Sequence, residues 1–402
     1  MNTHISLRQL FLHHNAQTST TPLLLEFDHA QGVYLYDKNG KSYMDLISGI
    51  GVSNLGHGRK EVKRAINEQV ERYMHLMVYG EYVLAPQVNL AEKLCSLLPE
   101  SLSSVYFVNS GSEAVEGALK LAKRYTARTE IISFTDSYHG STHGALSIMG
   151  NETFKSAYRP LLPDIHFINL NVIEQLSRIS DKTACVILET VQGEAGIRIP
   201  DAAYMNQLRK VCDHHGVLLI LDEIQCGLGR TGHLFAFQQF NIVPDILLLA
   251  KSLGGGMPIG AFISSNKIMA ELSDHPILGH ITTFGGHPVC CAAGLAALDL
   301  LIREKLTDTV EEKSQLFADL LVHPLILEVR RSGLLMAVQF ADYEQNKGII
   351  DICIERGLIV DWFLHNSNSM RLSPPLSITQ TEIKTACKII ITVLDELLLS
   401  MV

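Results

Sequence analysis

The chain has eight cysteines but no Cys-x-x-Cys, and Cys290 and Cys291 are adjacent, so neither a zinc site nor a disulfide framework is evident. It has no apolar run long enough to span a bilayer and no Lys/Arg-rich block. A formal charge of −9 argues against a general nucleic-acid surface, and nothing suggests membrane recruitment. The start, MNTHISLRQLFLHHNAQ, lacks the basic residues, long apolar segment and small-residue cleavage site of a secretory signal, and cytoplasmic residence is the simplest expectation. The histidines show no metal-ligand spacing; His214 and His215 are expected to cap or solvate a helix end. Repeats, low-complexity tracts and long linkers are missing too.

What is present is a globular composition, 47% hydrophobic and 19% charged over 402 residues, a length that ordinarily divides into two domains. Two runs carry most of the information: Val217 to Gln225 (VLLILDEIQ) and Asp245 to Gly256 (DILLLAKSLGGG). Each reads as a fully buried strand that ends on a charge, as in a parallel sheet covered on both faces. Open parallel sheets bind ligands at their carboxyl ends. Asp222 and Lys251 are thus placed where such a sheet does chemistry. A lone strand-end charge is more often a solvated cap, so the pair matters more than either member. An amine that can condense with an aldehyde, beside a carboxylate that can hold a pyridine nitrogen protonated, points to pyridoxal phosphate.

Up to about Gly56 the sequence reads as short strands and turns, with a hairpin over Gly32 to Gly40. From about Arg59 to Phe284 helical patterns alternate with apolar runs at Ser104 to Val108, Ile131 to Phe134, Cys185 to Leu188, Val217 to Leu221 and Ile246 to Ala250. That alternation predicts an α/β fold with a mostly parallel sheet flanked by helices. A helix over about Pro288 to Lys305 leads into a further unit, with strands near Ile326 to Arg330, Leu334 to Phe340 and Leu358 to Trp362. A closing helix follows Thr379, which has capping-box spacing to Glu382. Ser110 and Glu113 have the same spacing at the start of an amphipathic helix that follows an apolar run, where free N–H groups form an anion site.

Beyond the two runs, NLGHG (Asn54 to Gly58), NSGSEAVEGALKLAK (Asn109 to Lys123), SYHGSTHGAL (Ser137 to Leu146), ETVQGEAGI (Glu189 to Ile197), TTFGGHPVCCAA (Thr282 to Ala293) and MRLSPPL (Met370 to Leu376) occur in that order. Together these segments resemble the class III, or ornithine-type, pyridoxal-phosphate aminotransferases over nearly the whole chain. The resemblance implies the fold-type I architecture, with a large cofactor domain at 59–285 and a discontinuous small α+β domain from 1–58 with 286–402. It also implies a homodimer with composite active sites, pyridoxal 5'-phosphate as cofactor, and amine or amino-acid donors with 2-oxo acid acceptors.

Residue by residue, the resemblance gives Lys251 the Schiff base and Asp222 the ring nitrogen. Gln225 would contact the ring hydroxyl, and Ser110, Gly111 and Ser112 the phosphate. Tyr138 is the ring-stacking candidate, with His139 beside it. Glu189 and Glu194 are two buried carboxylates that must pair or face the site. Glu194 would mask Arg371, whose guanidinium grips a substrate carboxylate when released. Thr282 and Thr283 precede Phe284-Gly285-Gly286, and Thr283 would reach the phosphate of the neighbouring subunit.

This chain departs from the pattern at three places. Thr190 stands where the family has proline. Ser141 replaces the arginine that binds a distal substrate carboxylate in ornithine, acetylornithine and 4-aminobutyrate enzymes, and Ile50 falls where ornithine enzymes carry tyrosine. The expected reaction is amino-group transfer from an amine or amino-acid donor of the ornithine, acetylornithine or omega-amino type to a 2-oxo acid, with the departures favouring a relative that uses another amine over a strict ornithine enzyme. The scaffold also hosts aminomutases, racemases and decarboxylating transaminases, and a non-catalytic cofactor-binding protein is the alternative of another class.

Overall fold

The computed structural model describes residues 5–400. Near its amino end, β1 (Phe27–Gln31), β2 (Tyr34–Asp37) and β3 (Ser42–Asp45) form an antiparallel meander. The central sheet follows, from β4 (Ser104–Val108), β5 (Glu130–Phe134), β6 (Ile165–Ile168), β7 (Thr183–Glu189), β8 (Leu218–Asp222), β9 (Ile246–Leu249) and β10 (Gly260–Ser264). Their spatial order is β4-β10-β9-β8-β7-β5-β6. Only β10 runs against its neighbours, so β4 and β9 share the direction of the parallel strands. Every residue of β7, β8 and β9 is buried, which explains why those segments read as unbroken apolar runs instead of alternating ones.

A third sheet is antiparallel, built from β11 (Glu328–Ser332), β12 (Leu335–Gln339), β14 (Asp361–Phe363) and β15 (Asn366–Leu372) in the order β11-β12-β15-β14. Between them in sequence, β13 (Leu358–Ile359) leaves this unit and pairs in parallel with β3. The first and last parts of the chain are therefore joined by a strand ladder. The helices Pro288–Arg303 and Gln380–Ser400 lie where the pattern put them, and Thr379 and Glu382 close a reciprocal cap.

One reading of the amino-terminal segment needs correction. Residues 7–14 are a helix, Leu7–His14, not strand or turn; Ser6 and Gln9 cap it reciprocally, a Ser-x-x-Gln signal present in the sequence. Ser48, Gly49, Ile50 and Gly51 form a turn with φ of 50°, 59°, 64° and 73°, the left-handed conformation that a β-branched residue such as Ile50 rarely adopts. Asp45 Oδ1 accepts from the amides of Ile47 and Ser48, and Ser48 Oγ donates to Ser373 O, so the start of the turn is pinned.

Among the described residues, the guanidinium of Arg230 is fully buried. Arg230 donates to the carbonyls of Leu334 and Pro374 and to Asn54 Oδ1. It thereby ties the Asn54 to Gly58 segment, the double proline after β15 and the start of β12 together. Burial pushes its pKa down to about 9, which still leaves it a charged anchor at neutral pH, held through Nη1 and Nη2.

Candidate active site

The carboxyl ends of β4, β5, β7, β8 and β9 open onto one edge of the central sheet, and a cavity of about 450 Å³ lies there. Its walls include Ser110, Gly111, Ser112, Tyr138, His139, Glu189, Asp222, Gln225 and Lys251, nine residues that the sequence singles out. Asn109, Ile224, Met257 and Ile259 contribute further wall that residue-type reasoning had no reason to choose.

Lys251 follows β9 by two positions and has φ 47°, so the strand breaks sharply as it reaches the cavity. Burial lowers the ammonium's pKa; Arg371 adds to the fall, while Glu194, Asp222 and Glu189 oppose it. A lysine made easier to deprotonate is better suited to nucleophilic attack and proton transfer. Asp222 ends β8. Its Oδ1 accepts from the amide of Ile224 at 3.0 Å and its Oδ2 meets His139 Nδ1 at 2.7 Å. The carboxylate is thus fixed in direction from two sides.

Glu189 is the ladder neighbour of Asp222, on β7, and accepts from the amides of Tyr138 (2.9 Å) and Gly193 (2.8 Å). Burial drives its pKa up to about 7, outweighing the lowering influence of His139 and of those two amides. Gln225 packs against Gly193, where a Cβ would come within 1.8 Å of Gln225 Oε1 and would force the amide end of Gln225 to move. The Nε2 of Gln225 is buried without a partner among the described residues. Gly140, with φ 124°, is equally constrained, because a Cβ there would lie 2.1 Å from Ser112 Oγ.

Ser110 caps the sixteen-residue helix Gly111–Thr126 by accepting from Glu113 N at 3.2 Å. The returning half of the expected capping box is different: Glu113 accepts from Asn109 N and Nδ2, both at 2.8 Å, and not from Ser110 N, since Asn109 offers two donors to one oxygen. The amides of the helix's first turn face the cavity end, the arrangement that holds a phosphate.

The remaining predicted residues do not line the cavity. Thr282 Oγ1 accepts from Asn109 Nδ2 at 2.9 Å, while Thr283 is exposed. Ser141 is exposed, with its Oγ 3.4 Å from the Tyr138 hydroxyl. Ile50 sits on the left-handed turn, half-buried. Arg371 and Glu194 are buried and joined, Nη2 to Oε2, at 2.8 Å. Burial would raise the Glu194 pKa, but Arg371, the Leu364 amide and Lys251 together hold it below the ordinary value. Sequence reasoning missed Asp361, whose Oδ1 lies 3.2 Å from Arg371 Nε. It missed Glu223 too, a buried carboxylate receiving the amides of Ala236 and Phe237. Neither has a sequence signal of its own: one depends on strand register and the other is the second acid of a strand end.

The family model for Aminotransferase class-III matches residues 15–394. The chain belongs to the class III aminotransferases. It is 40% identical over 365 residues to an acetylornithine aminotransferase of Methanopyrus kandleri, covering 89% of this chain and 90% of that one. A Clostridium acetobutylicum acetylornithine aminotransferase is 38% identical over 373 residues, 90% of this chain and 94% of that protein. Among solved structures, an ornithine aminotransferase from Toxoplasma gondii with partial occupancy of PLP at its active site superposes with a TM-score of 0.90 at 28% identity, covering 98% of this chain and 95% of that one. As a class III aminotransferase the chain has the fold-type I architecture, and its activity is amino-group transfer.

The groups around the cavity fit the cofactor named in that relative. One amine, one oriented carboxylate, one unpartnered amide donor and one helix amino terminus are what an aldehyde, a pyridine nitrogen, a ring hydroxyl and a phosphate require.

Proposed function

We propose that this aminotransferase uses pyridoxal 5'-phosphate to move an amino group from a primary amine or amino acid to a 2-oxo acid. The observation that carries the reading is the convergence of Lys251 and Asp222, from neighbouring strands, on one cavity that begins at a helix amino terminus. When bound, the cofactor supplies an aldehyde that condenses with amines and a pyridine ring that takes up electron density from the reacting carbon. Lys251 holds the cofactor at rest and, once released, carries a proton between the substrate carbon and the cofactor carbon through Nζ. Asp222 keeps the ring nitrogen protonated, and Gln225 donates through Nε2 to the ring hydroxyl. Ser110, Gly111 and Ser112 bind the phosphate; Tyr138 covers the ring beside His139, and Glu189 orients that loop through the Tyr138 amide.

Glu194 masks Arg371 while an amine donor is bound and releases it to a carboxylate of the acceptor. Support comes from the buried 2.8 Å pair, which leaves Arg371 Nη1 without a partner. Thr283, exposed and two residues before Gly285, is read as completing the site of a second copy, next to Thr282, so the working form is a homodimer. The division into a cofactor domain at 59–285 and a smaller unit of 1–58 with 286–402 is supported by the β3–β13 pairing; residues 1–4 and 401–402 lie outside the described set. Eight unpaired thiols favour a reducing compartment, the cytoplasm, and no described helix is long and apolar enough to cross a membrane.

The test is a panel of amines and amino acids offered to the holoenzyme with pyruvate or 2-oxoglutarate, scoring the new amino acid. Appearance of alanine or glutamate in proportion to donor consumed is expected. Donor consumption without an aminated acceptor would contradict the proposal.

A further inference from the structure

Arg371 faces more negative charge than Glu194 alone supplies. The β14–β15 ladder places Asp361 directly opposite Arg371, on the same face of the sheet. Nε of Arg371 lies 3.2 Å from Asp361 Oδ1, an ion-pair contact without hydrogen-bond alignment. Nη2 reaches Glu194 Oε2 at 2.8 Å and Trp362 O at 3.2 Å, and the guanidinium sits 4.6 Å above the Phe363 ring. The residue is 2% exposed, yet its Nε and Nη1 donors have no hydrogen-bond partner among the described residues. A buried arginine with two unspent nitrogens is arranged to receive a ligand anion.

Its two acidic neighbours are not equivalent. Glu194 lies on the loop after β7, whereas Asp361 belongs to a strand whose backbone is bound into the ladder. An incoming carboxylate can displace Glu194, but Asp361 stays. Burial pushes the Asp361 carboxyl up to about 6 against the opposing pull of Arg371, and Glu194 and Asp45 add smaller rises.

Resting on the reading of Arg371 as the acceptor-carboxylate receptor, we propose that Asp361 is a positioning residue that stays paired with Arg371 when Glu194 leaves and weakens its grip on substrate carboxylates. Donors with no carboxylate on the reacting carbon escape that repulsion, so Asp361 biases the enzyme toward simple primary amines over α-amino acids.

Asp361→Asn preserves size and an oxygen facing the guanidinium while removing the charge. The holoenzyme is assayed with pyruvate as acceptor and a carboxylate-free primary amine as donor, and binding of pyruvate alone is measured by calorimetry. The ratio of KM for pyruvate to KM for the amine is expected to fall by roughly 3- to 30-fold, the range a nearby like charge exerts in a partly screened site. The calorimetric Kd for pyruvate should tighten in parallel, and Asp361→Glu should restore both. An unchanged or higher ratio, or unchanged pyruvate binding, overturns the proposal. Asp361→Ser carries the same expectation should the asparagine variant not fold. Failure of the wild type to aminate pyruvate or any other oxo acid would instead count against the aminotransferase reading, and the calorimetric comparison would still decide the role of Asp361.

Discussion

Asp222 Oδ2 and His139 Nδ1 meet at 2.7 Å, both side chains buried, one at the end of β8 and the other in the loop after β5. The contact crosses 83 positions of sequence, and it sets which way the carboxylate faces the cavity. Orientation of this kind matters because a charge-assisted hydrogen bond is stronger than a neutral one and depends on alignment.

Asp222→Asn is therefore expected to keep the fold and bind cofactor while losing most of its activity. Replacing a charged acceptor by a neutral amide removes about 1.5–3 kcal/mol, roughly ten- to a hundred-fold in kcat at least. Steady-state kinetics with saturating cofactor check it; kcat within twofold of wild type would show that another group partners the ring nitrogen.

Glu223 makes a contribution of defined sign to the pH dependence of stability. Burial pushes Glu223 up to about 7, winning over the amides of Ala236 and Phe237 and the hydroxyl of Thr190. Because the folded pKa lies above the unfolded value near 4.5, the stability tied to the neutral carboxyl is fully present below pH 4.5 and is lost as pH rises to about 7. The loss is roughly 3 kcal/mol. Glu223→Gln cannot titrate, so its cost relative to wild type should be largest near pH 5 and shrink by about that amount at pH 8. Chemical denaturation of both proteins at three pH values measures this, and a pH-independent difference would refute it.

On the reading of position 141 as the receptor for a distal carboxylate, Ser141 offers only a neutral hydroxyl. Pyruvate is expected to rival 2-oxoglutarate as acceptor, and Ser141→Arg to shift kcat/KM toward 2-oxoglutarate by roughly ten- to a hundred-fold. A strong wild-type preference for 2-oxoglutarate that the variant leaves unchanged would mean that some other residue reads the distal group.

The sheet strands were legible in the sequence because full burial leaves a simple mark: Leu218 to Leu221 and Ile246 to Leu249 contain no polar residue before the strand-end charge. The capped helices were legible because Ser110 and Thr379 bond locally. What stayed hidden depends on long-range geometry. The pairing of β13 with β3 spans more than 300 positions, and a two-residue strand has no periodicity to read. Asp361 looked like an ordinary acidic residue until the β14–β15 register set it against Arg371. Nor does residue type announce that Ile50 would be left-handed; the turn is imposed by Asp45 and Ser373 from outside it.

Reductive trapping tests the central claim most directly. Holoenzyme treated with borohydride and then digested should carry the reduced cofactor on the peptide containing Lys251 and on no other lysine, and Lys251→Ala should show no adduct and no amino-group transfer. An adduct at a different lysine, or full activity in Lys251→Ala, would contradict the account.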